Sequence, residues 1–181
     1  MQVSVDEIGS QGLELSHTYS PGELPVLEQL QSDGVVKEIT PVVSHVRIHK
    51  ITQIIEVAGS AEVTMNMQCS RCLEEQQFDI KIDFSQSYVD QLPQVTDEDG
   101  GEVELSAEQM GLELFDGETI DLRDEIQQQI VLALPIRPLC SDKCKGLCSR
   151  CGANLNNDEC SCDNGNISMH FAALRDFKVE K

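Results

Sequence analysis

Eight cysteines in paired spacings constrain this chain more than any other feature of its 181 residues. Two Cys-Ser-Arg-Cys tetrapeptides, at 69–72 and 148–151, each place two thiols on one tight turn. Such a turn supplies two ligands to a metal ion, whereas a structural zinc ion needs four in a tetrahedron. The cysteines therefore predict metal ligation, and their number is enough for two complete sites: Cys69, Cys72, Cys140, Cys144, Cys148, Cys151, Cys160 and Cys162.

Two divisions of these ligands are open. We prefer the one that follows sequence proximity, in which one site is local and the other ties the middle of the chain to its C-terminal segment. The local set is Cys148, Cys151, Cys160 and Cys162, and the other set is Cys69, Cys72, Cys140 and Cys144. In the alternative, the two tetrapeptides share one metal as in a zinc ribbon, and the remaining four cysteines form a second site or none.

Residues beside the ligands are expected to stabilise thiolate charge. Gly152 can adopt the positive φ that such a turn often needs, and we expect its amide to donate to a thiolate. Five cations also flank the cysteines. We interpret them as offsetting the thiolate charge, with a local basic face as the alternative: Arg71, Arg137, Lys143, Lys145 and Arg150.

The expected metal is zinc, as one or two ions. The N-terminus shows no basic n-region or apolar h-region, so we expect a cytoplasmic protein, in which cysteines ligate metals more often than they form disulfides. Iron–sulfur ligation is the rival, because Cys144, Cys148 and Cys151 have the C-x₃-C-x₂-C spacing of radical-SAM enzymes. The thirty residues after Cys151 are too few for the barrel of those enzymes, although a simpler cluster protein stays open.

The charge is strongly acidic. The formal net charge is −19, and residues 97–125 hold twelve acidic residues against Arg123 alone. Such a chain repels nucleic-acid phosphates and anionic membranes and attracts basic proteins. The longest apolar stretch, Ile130–Ile136, is too short to span a bilayer. We therefore expect no membrane partner and predict that any contact with nucleic acid needs a local basic patch or a basic partner.

Hydrophobic periodicity predicts an α+β fold: a mainly antiparallel sheet or partly closed barrel, two principal helices and a C-terminal Cys-rich zinc-binding segment. Alternation in 61–67 and 78–84 predicts two strands around the first tetrapeptide, and 42–55 also reads as extended. Apolar residues at four-residue intervals predict a helix over 122–134 that is capped by Asp121. A second helix is predicted over 167–177.

The predicted domain boundary lies between residues 135 and 136. We expect an α+β domain over 1–135, with an acidic loop region at 97–118, and a Cys-rich metal-binding segment with the last helix over 136–181. On the strand of the first domain that contains His45, Arg47 and His49, these side chains share a face. We interpret that face as solvated, with a phosphate-contacting strip as the alternative.

Motifs of catalysis are absent from the sequence. It contains no dinucleotide-binding glycine motif, P-loop, H-E-x-x-H or nucleophile-elbow motif. Its four histidines, of which His170 is nearest to the C-terminal cysteines, do not have ligand spacing with either tetrapeptide. We therefore expect a structural metal and no enzyme activity, and no small-molecule substrate is evident.

Several segments resemble the YceD family. They are Met67–Glu75 with its Cys-Arg-Cys-Leu-Glu sequence, the helix end Leu132-Ala-Leu-Pro135, the run Pro138–Asn156 and Cys160-Ser-Cys162. The resemblance covers nearly the whole chain. Members of that family are associated with the accumulation of large-subunit ribosomal RNA, and their genes often neighbour one for a zinc-ribbon large-subunit ribosomal protein. Some members lack the second tetrapeptide and the C-x-C pair.

The resemblance implies a non-enzymatic factor in large ribosomal subunit biogenesis. Its expected partners are a large-subunit precursor, the rRNA or a basic ribosomal protein. The charge of the chain, and not the resemblance, suggests the hypothesis that the acidic region at 97–125 binds or shields the basic protein. A zinc- or redox-responsive regulator with labile thiolates is the alternative function, and an enzyme with an unrecognised site is a third.

Overall fold

The computed structural model describes residues 1–93, 95–96, 102–103 and 105–162. In these residues the strands are β1 (Gln2–Ser4), β2 (Leu13–Tyr19), β3 (Glu38–Ile39), β4 (Val42–Ile51), β5 (Ile54–Gln68), β6 (Glu75–Val89), β7 (Val95–Thr96), β8 (Glu102–Val103), β9 (Leu112–Leu114) and β10 (Thr119–Asp121). The helices are α1 (Pro25–Ser32), α2 (Ala107–Met110) and α3 (Leu122–Ala133). No helix of this part of the chain has the length and apolar character needed to cross a membrane.

Six strands form the main sheet, which curls into a half-barrel. Their order is β2-β4-β5-β6-β9, and β3 pairs with β5 beside β4. Every pairing in this sheet is antiparallel except that of β6 with β9, which is parallel. The predicted α+β class, with a mainly antiparallel and partly closed sheet, is confirmed.

The longest pairing joins β5 to β6, two strands of 15 residues each. Their register runs from Ile54 opposite Val89 to Gln68 opposite Glu75, without interruption. Both strands predicted around the first tetrapeptide are therefore present and longer than expected. The hairpin carries Cys69 and Cys72 in its closing loop, at one end of the sheet.

The two faces of β4 differ in the way that alternation predicts. Every second residue from Val42 to Ile48 is buried, Ser44 among them, and the alternate residues are exposed. On the exposed face, the Nδ1 atom of His45 lies 2.8 Å from the Ser16 hydroxyl, and Arg47 Nε donates to Glu14 at 2.8 Å. These exposed pairs support the interpretation of a solvated polar face.

Helix α3 covers the inner side of the sheet as its periodicity predicts. Leu122, Ile126 and Ile130 are fully buried, and burial of each such side chain contributes about 1.5–3 kcal/mol. The side chain of Asp121 accepts a hydrogen bond from the backbone amide of Arg123, so the predicted cap is present. The helix ends at Ala133, and Leu134 is its extended C-cap.

Two helices were outside the prediction, and one predicted helix is outside the described residues. Helix α1 has eight residues and buries only Leu27, so its apolar stripe is too short to detect by periodicity. Helix α2 has only four residues. The helix predicted over 167–177 lies beyond the part of the chain that the structure describes, and the boundary between 135 and 136 stays a prediction.

Candidate metal centre

The first cysteine group joins the β5–β6 loop to the segment that follows α3. The loop is closed by hydrogen bonds from the Cys69 amide to the Glu74 carbonyl and from the Leu73 amide to the Cys69 carbonyl, each 2.9 Å long. Leu73 has a φ of 61°, which lets the chain turn sharply after Cys72. The Ser70 amide donates to the Pro138 carbonyl at 2.8 Å, which places the C-terminal segment against the loop.

The sulfur atoms of this group have the spacing of metal ligands. The Sγ atoms of Cys69 and Cys144 are 3.8 Å apart, those of Cys72 and Cys140 are 3.6 Å apart, and all four lie within 4.8 Å of one another. Zinc–sulfur bonds of about 2.3 Å in a tetrahedron require sulfur–sulfur distances of about 3.8 Å. All eight cysteines of the chain are free thiols. The arrangement therefore suits one tetrahedral ion.

The second group is local, and it is more open to solvent. Its ligand atoms come from Cys148, Cys151, Cys160 and Cys162, again within 4.8 Å of one another. The Sγ atom of Cys160 lies 3.4 Å from that of Cys148 and 3.5 Å from that of Cys151. Cys148 is buried, but Cys151 is exposed. The eight sulfur atoms thus fall into the two sets of four that sequence proximity favours.

Gly152 adopts the predicted conformation with a different partner. Its φ is 75°, in the left-handed region that glycine tolerates. The prediction that its amide donates to a thiolate was wrong: the amide donates to the Cys148 carbonyl at 2.9 Å. The backbone amides of Cys151 and Arg150 reach the Cys148 sulfur instead and lower the pKa of that thiol to about 6.

Cys69, the first cysteine of the other tetrapeptide, also ionises more readily than an ordinary thiol. Burial raises the pKa of the Cys69 thiol, but the backbone amides of Cys72, Cys140 and Arg71 outweigh it and lower the pKa to about 6. A thiol with a lowered pKa is largely a thiolate at neutral pH, which is the form that binds metals.

Crowding by neighbouring thiols has the opposite effect on two cysteines of each group, and it is largest at Cys140 and Cys162, with smaller rises at Cys72 and Cys160. Contact with Cys144, together with burial, raises the pKa of Cys140 to about 12, and contact with Cys160 and Cys151 raises the pKa of Cys162 to about 12. Four neighbouring thiols cannot all carry negative charge without a cation among them. A divalent ion would relieve this repulsion, so the donor set and its electrostatics both fit a metal.

The five cations beside the cysteines have different positions. The first group has two arms, which are the β5–β6 loop and the segment after α3. The guanidinium of Arg71 donates to the Cys144 carbonyl at 2.9 Å and so holds these two arms together. Like Arg71, the other four are exposed to solvent: Arg137, Lys143, Lys145 and Arg150. Arg71 therefore has a structural contact, and the other four agree with either of the two interpretations of their charge.

A set of polar residues surrounds the first group and was not predicted from the sequence. The side chain of Asn156 donates to the Cys144 sulfur at 3.3 Å and is the main reason why the pKa of Cys144 is lowered. Glu74 accepts hydrogen bonds from Asn154 at 2.7 Å and from Asn157 at 3.0 Å. The only sequence signal for this network is three asparagines between two pairs of cysteines.

Fold and site together define an α+β protein whose half-barrel is joined to a Cys-rich segment by a four-cysteine group. The family model described as "Large ribosomal RNA subunit accumulation protein YceD" matches residues 57–178, so this chain belongs to the YceD family. The resemblance drawn from the sequence is confirmed.

Curated relatives agree with this assignment. An uncharacterized protein of Mycobacterium leprae is 28% identical over 135 residues, which are 73% of this chain and 58% of the relative. The Zea mays protein named "Large ribosomal RNA subunit accumulation protein YCED homolog 1, chloroplastic" is 27% identical over 148 residues, which are 71% of this chain and 50% of the relative. The chain thus spans about half the length of these relatives. No solved structure matches it.

Proposed function

We propose that this protein is a non-enzymatic factor for the accumulation of large-subunit rRNA, and that it acts in the cytoplasm by binding components of the assembling subunit. The observation that carries the proposal is the family match over residues 57–178. The name of the Zea mays relative supports the same role. Binding rather than catalysis agrees with a sequence that lacks the common catalytic motifs.

We further propose that the metal in both groups is structural zinc. Four thiolates complete the tetrahedral coordination of zinc and leave no open position for a substrate or a water molecule. The first group supports this role, because Cys69, Cys72 and Cys144 are nearly inaccessible to solvent. When bound there, zinc would supply a crosslink between the β5–β6 loop and the C-terminal segment.

The proposed partner of the acidic region is a basic protein of the large subunit. Within the described part of this region, five acidic side chains are exposed: Glu108, Glu113, Asp116, Glu118 and Asp124. Exposed carboxylates on a chain of net charge −19 attract a basic partner and repel bare RNA. Contact with rRNA would then follow from the exposed cations beside the cysteines, after the basic protein has bound.

Sedimentation of a cell lysate tests the proposed role. We expect the protein to migrate with large-subunit precursors and not with mature ribosomes, and to leave the precursors as salt rises, because exposed charges are screened. The measurement is a density gradient at low and moderate salt, with detection of the protein in every fraction. A signal confined to the light fractions at both salts would remove direct binding to the particle.

A zinc- or redox-responsive regulator is a second candidate, which the exposure of Cys151 favours. Thiolates that are accessible to solvent react with peroxide before buried ones. If regulation is the function, low doses of peroxide should release one zinc ion per chain and leave the buried group loaded. If both ions were released together, and only at peroxide doses that unfold the protein, the two sites would instead both be structural. A chromogenic zinc indicator follows either course.

A further inference from the structure

The loop between Cys151 and Cys160 belongs to the second group by its ligands, yet several of its contacts are with the first group. The Leu155 amide donates to the Gly146 carbonyl at 2.9 Å, and the Lys145 amide donates to the side-chain oxygen of Asn156 at 2.8 Å. Gly146 and Lys145 follow Cys144 directly in the sequence. The loop of one group therefore lies along the turn that presents a ligand of the other.

The orientation of the Asn156 amide follows from its partners. Its oxygen accepts the Lys145 amide, so its NH₂ group must be the atom that faces the Cys144 sulfur at 3.3 Å. The same NH₂ group donates to the Asn154 side-chain oxygen at 2.9 Å. Asn156 is thus a fixed donor to a thiolate. Reversing the amide would place its oxygen against the Asn154 oxygen and its NH₂ group against the Lys145 N–H, and it would leave the sulfur without its donor.

The second arm of the first group is held by the same loop. The Asn154 side-chain amide donates to the Glu74 carboxylate at 2.7 Å, and that of Asn157 donates to it at 3.0 Å. Glu74 stands two residues after Cys72 in the β5–β6 loop. The Asn154–Asn157 segment consequently contacts both arms of the first group. In the sequence it lies between Cys151 and Cys160, which are ligands of the second group.

We infer that Asn156 is a positioning residue that couples the two groups: metal in the second group orders the 152–159 loop, and the ordered loop presents the Asn156 amide to the Cys144 thiolate. The first group then binds metal more tightly when the second is loaded, and by linkage the reverse also holds. This inference rests on the proposed metal binding. Donors to ligand atoms typically contribute a factor of 10–100 in metal affinity.

A double-mutant cycle on the full chain tests the coupling, with Co²⁺ as the probe because its thiolate complexes absorb visible light. Asn156→Ala should weaken Co²⁺ binding at the first group about 10-fold. Cys160→Ser combined with Cys162→Ser should empty the second group and weaken the first by a similar factor. Adding Asn156→Ala to that pair should then change little, because one contact carries both effects.

Asp158→Ala is the matched control, since this exposed residue lies in the same loop and its side chain makes no hydrogen bond among the described residues. The Co²⁺ affinity of the first group in this variant should stay within twofold of the wild-type value. The coupling would be overturned if Asn156→Ala bound two Co²⁺ ions with an unchanged affinity at the first group. It would also be overturned if the losses of Co²⁺ affinity multiplied in the combined variant. Either result would leave the proposed metal binding itself intact. A wild-type chain that binds no Co²⁺ would instead remove the metal centre of the proposed function.

Discussion

A Cys144→Ser variant should unfold well below the wild-type temperature and should hold one zinc ion per chain instead of two. Cys144 is 5% exposed and its Sγ atom lies 3.8 Å from that of Cys69, so a metal ion held by both would link the β5–β6 loop to the C-terminal segment. A structural zinc ion contributes about 10–16 kcal/mol in small domains. A loss of about 4 kcal/mol, which is only about a third of that, is enough to lower the melting temperature by about 8–16 °C in a domain of this size, so we expect a fall of at least that much.

Cys160→Ser is the matched control for that variant. It removes the same chemical group and would also cost the chain one ion, but its group closes within residues 148–162 and contains no ligand from the β5–β6 loop. We expect its melting temperature to fall by only a few degrees. Calorimetry together with zinc analysis makes the comparison. Equal shifts in the two variants would show that the first group is not the one that joins the two parts of the fold.

Neutralising part of the acidic region should weaken binding to basic proteins of the large subunit about 10-fold at low salt. The variant replaces Glu108, Glu113 and Glu118 with glutamine, three exposed residues whose side chains make no hydrogen bond within the described residues. Each exposed ion pair contributes about 0.2–1 kcal/mol, so three contribute about 0.6–3 kcal/mol. The measurement is the dissociation constant for purified large-subunit proteins from the same cells.

The control is a second triple variant with the same change in net charge. It replaces Glu7, Glu28 and Glu56 with glutamine, which are exposed residues outside the acidic region. If the acidic region is the contact, this control binds nearly as well as the wild type at equal salt. Equal weakening by both variants would mean that only the overall charge attracts the partner, and no weakening by either would contradict the proposed contact.

Periodicity and spacing gave reliable guidance where one physical rule dominates. Alternation identified the two long strands because one face of each packs on the core, as Val63 opposite Ile80 shows. The four-residue recurrence of Leu122, Ile126 and Ile130 identified α3 for the same reason. The grouping of the sulfur atoms followed sequence proximity because the β5–β6 loop lies beside the segment after α3.

Other features depend on tertiary contacts that no local pattern records. The parallel pairing of β9 with β6 involves only three residues, from Leu112 to Leu114, and is too short for a periodic signal. Asn156 is an ordinary polar loop residue until the chain folds and brings it to Cys144. Gly152 shows a partial success: its φ follows from the tight turn, whereas its partner depends on the path of the loop.

The length of chain between the two halves of the first group has a consequence for synthesis. Cys69 and Cys72 leave the ribosome about seventy residues before Cys144, which takes about 4–14 s at 5–20 residues per second. During that interval the strands of the β5–β6 hairpin can pair, because their contacts are local in sequence. Its two thiols remain without Cys140 and Cys144, the other two ligands of the group. A truncated chain that stops before residue 140 would lack the other two ligands and would leave Cys69 and Cys72 open to oxidation. The first group can therefore form only in a chain that has been synthesised past Cys144.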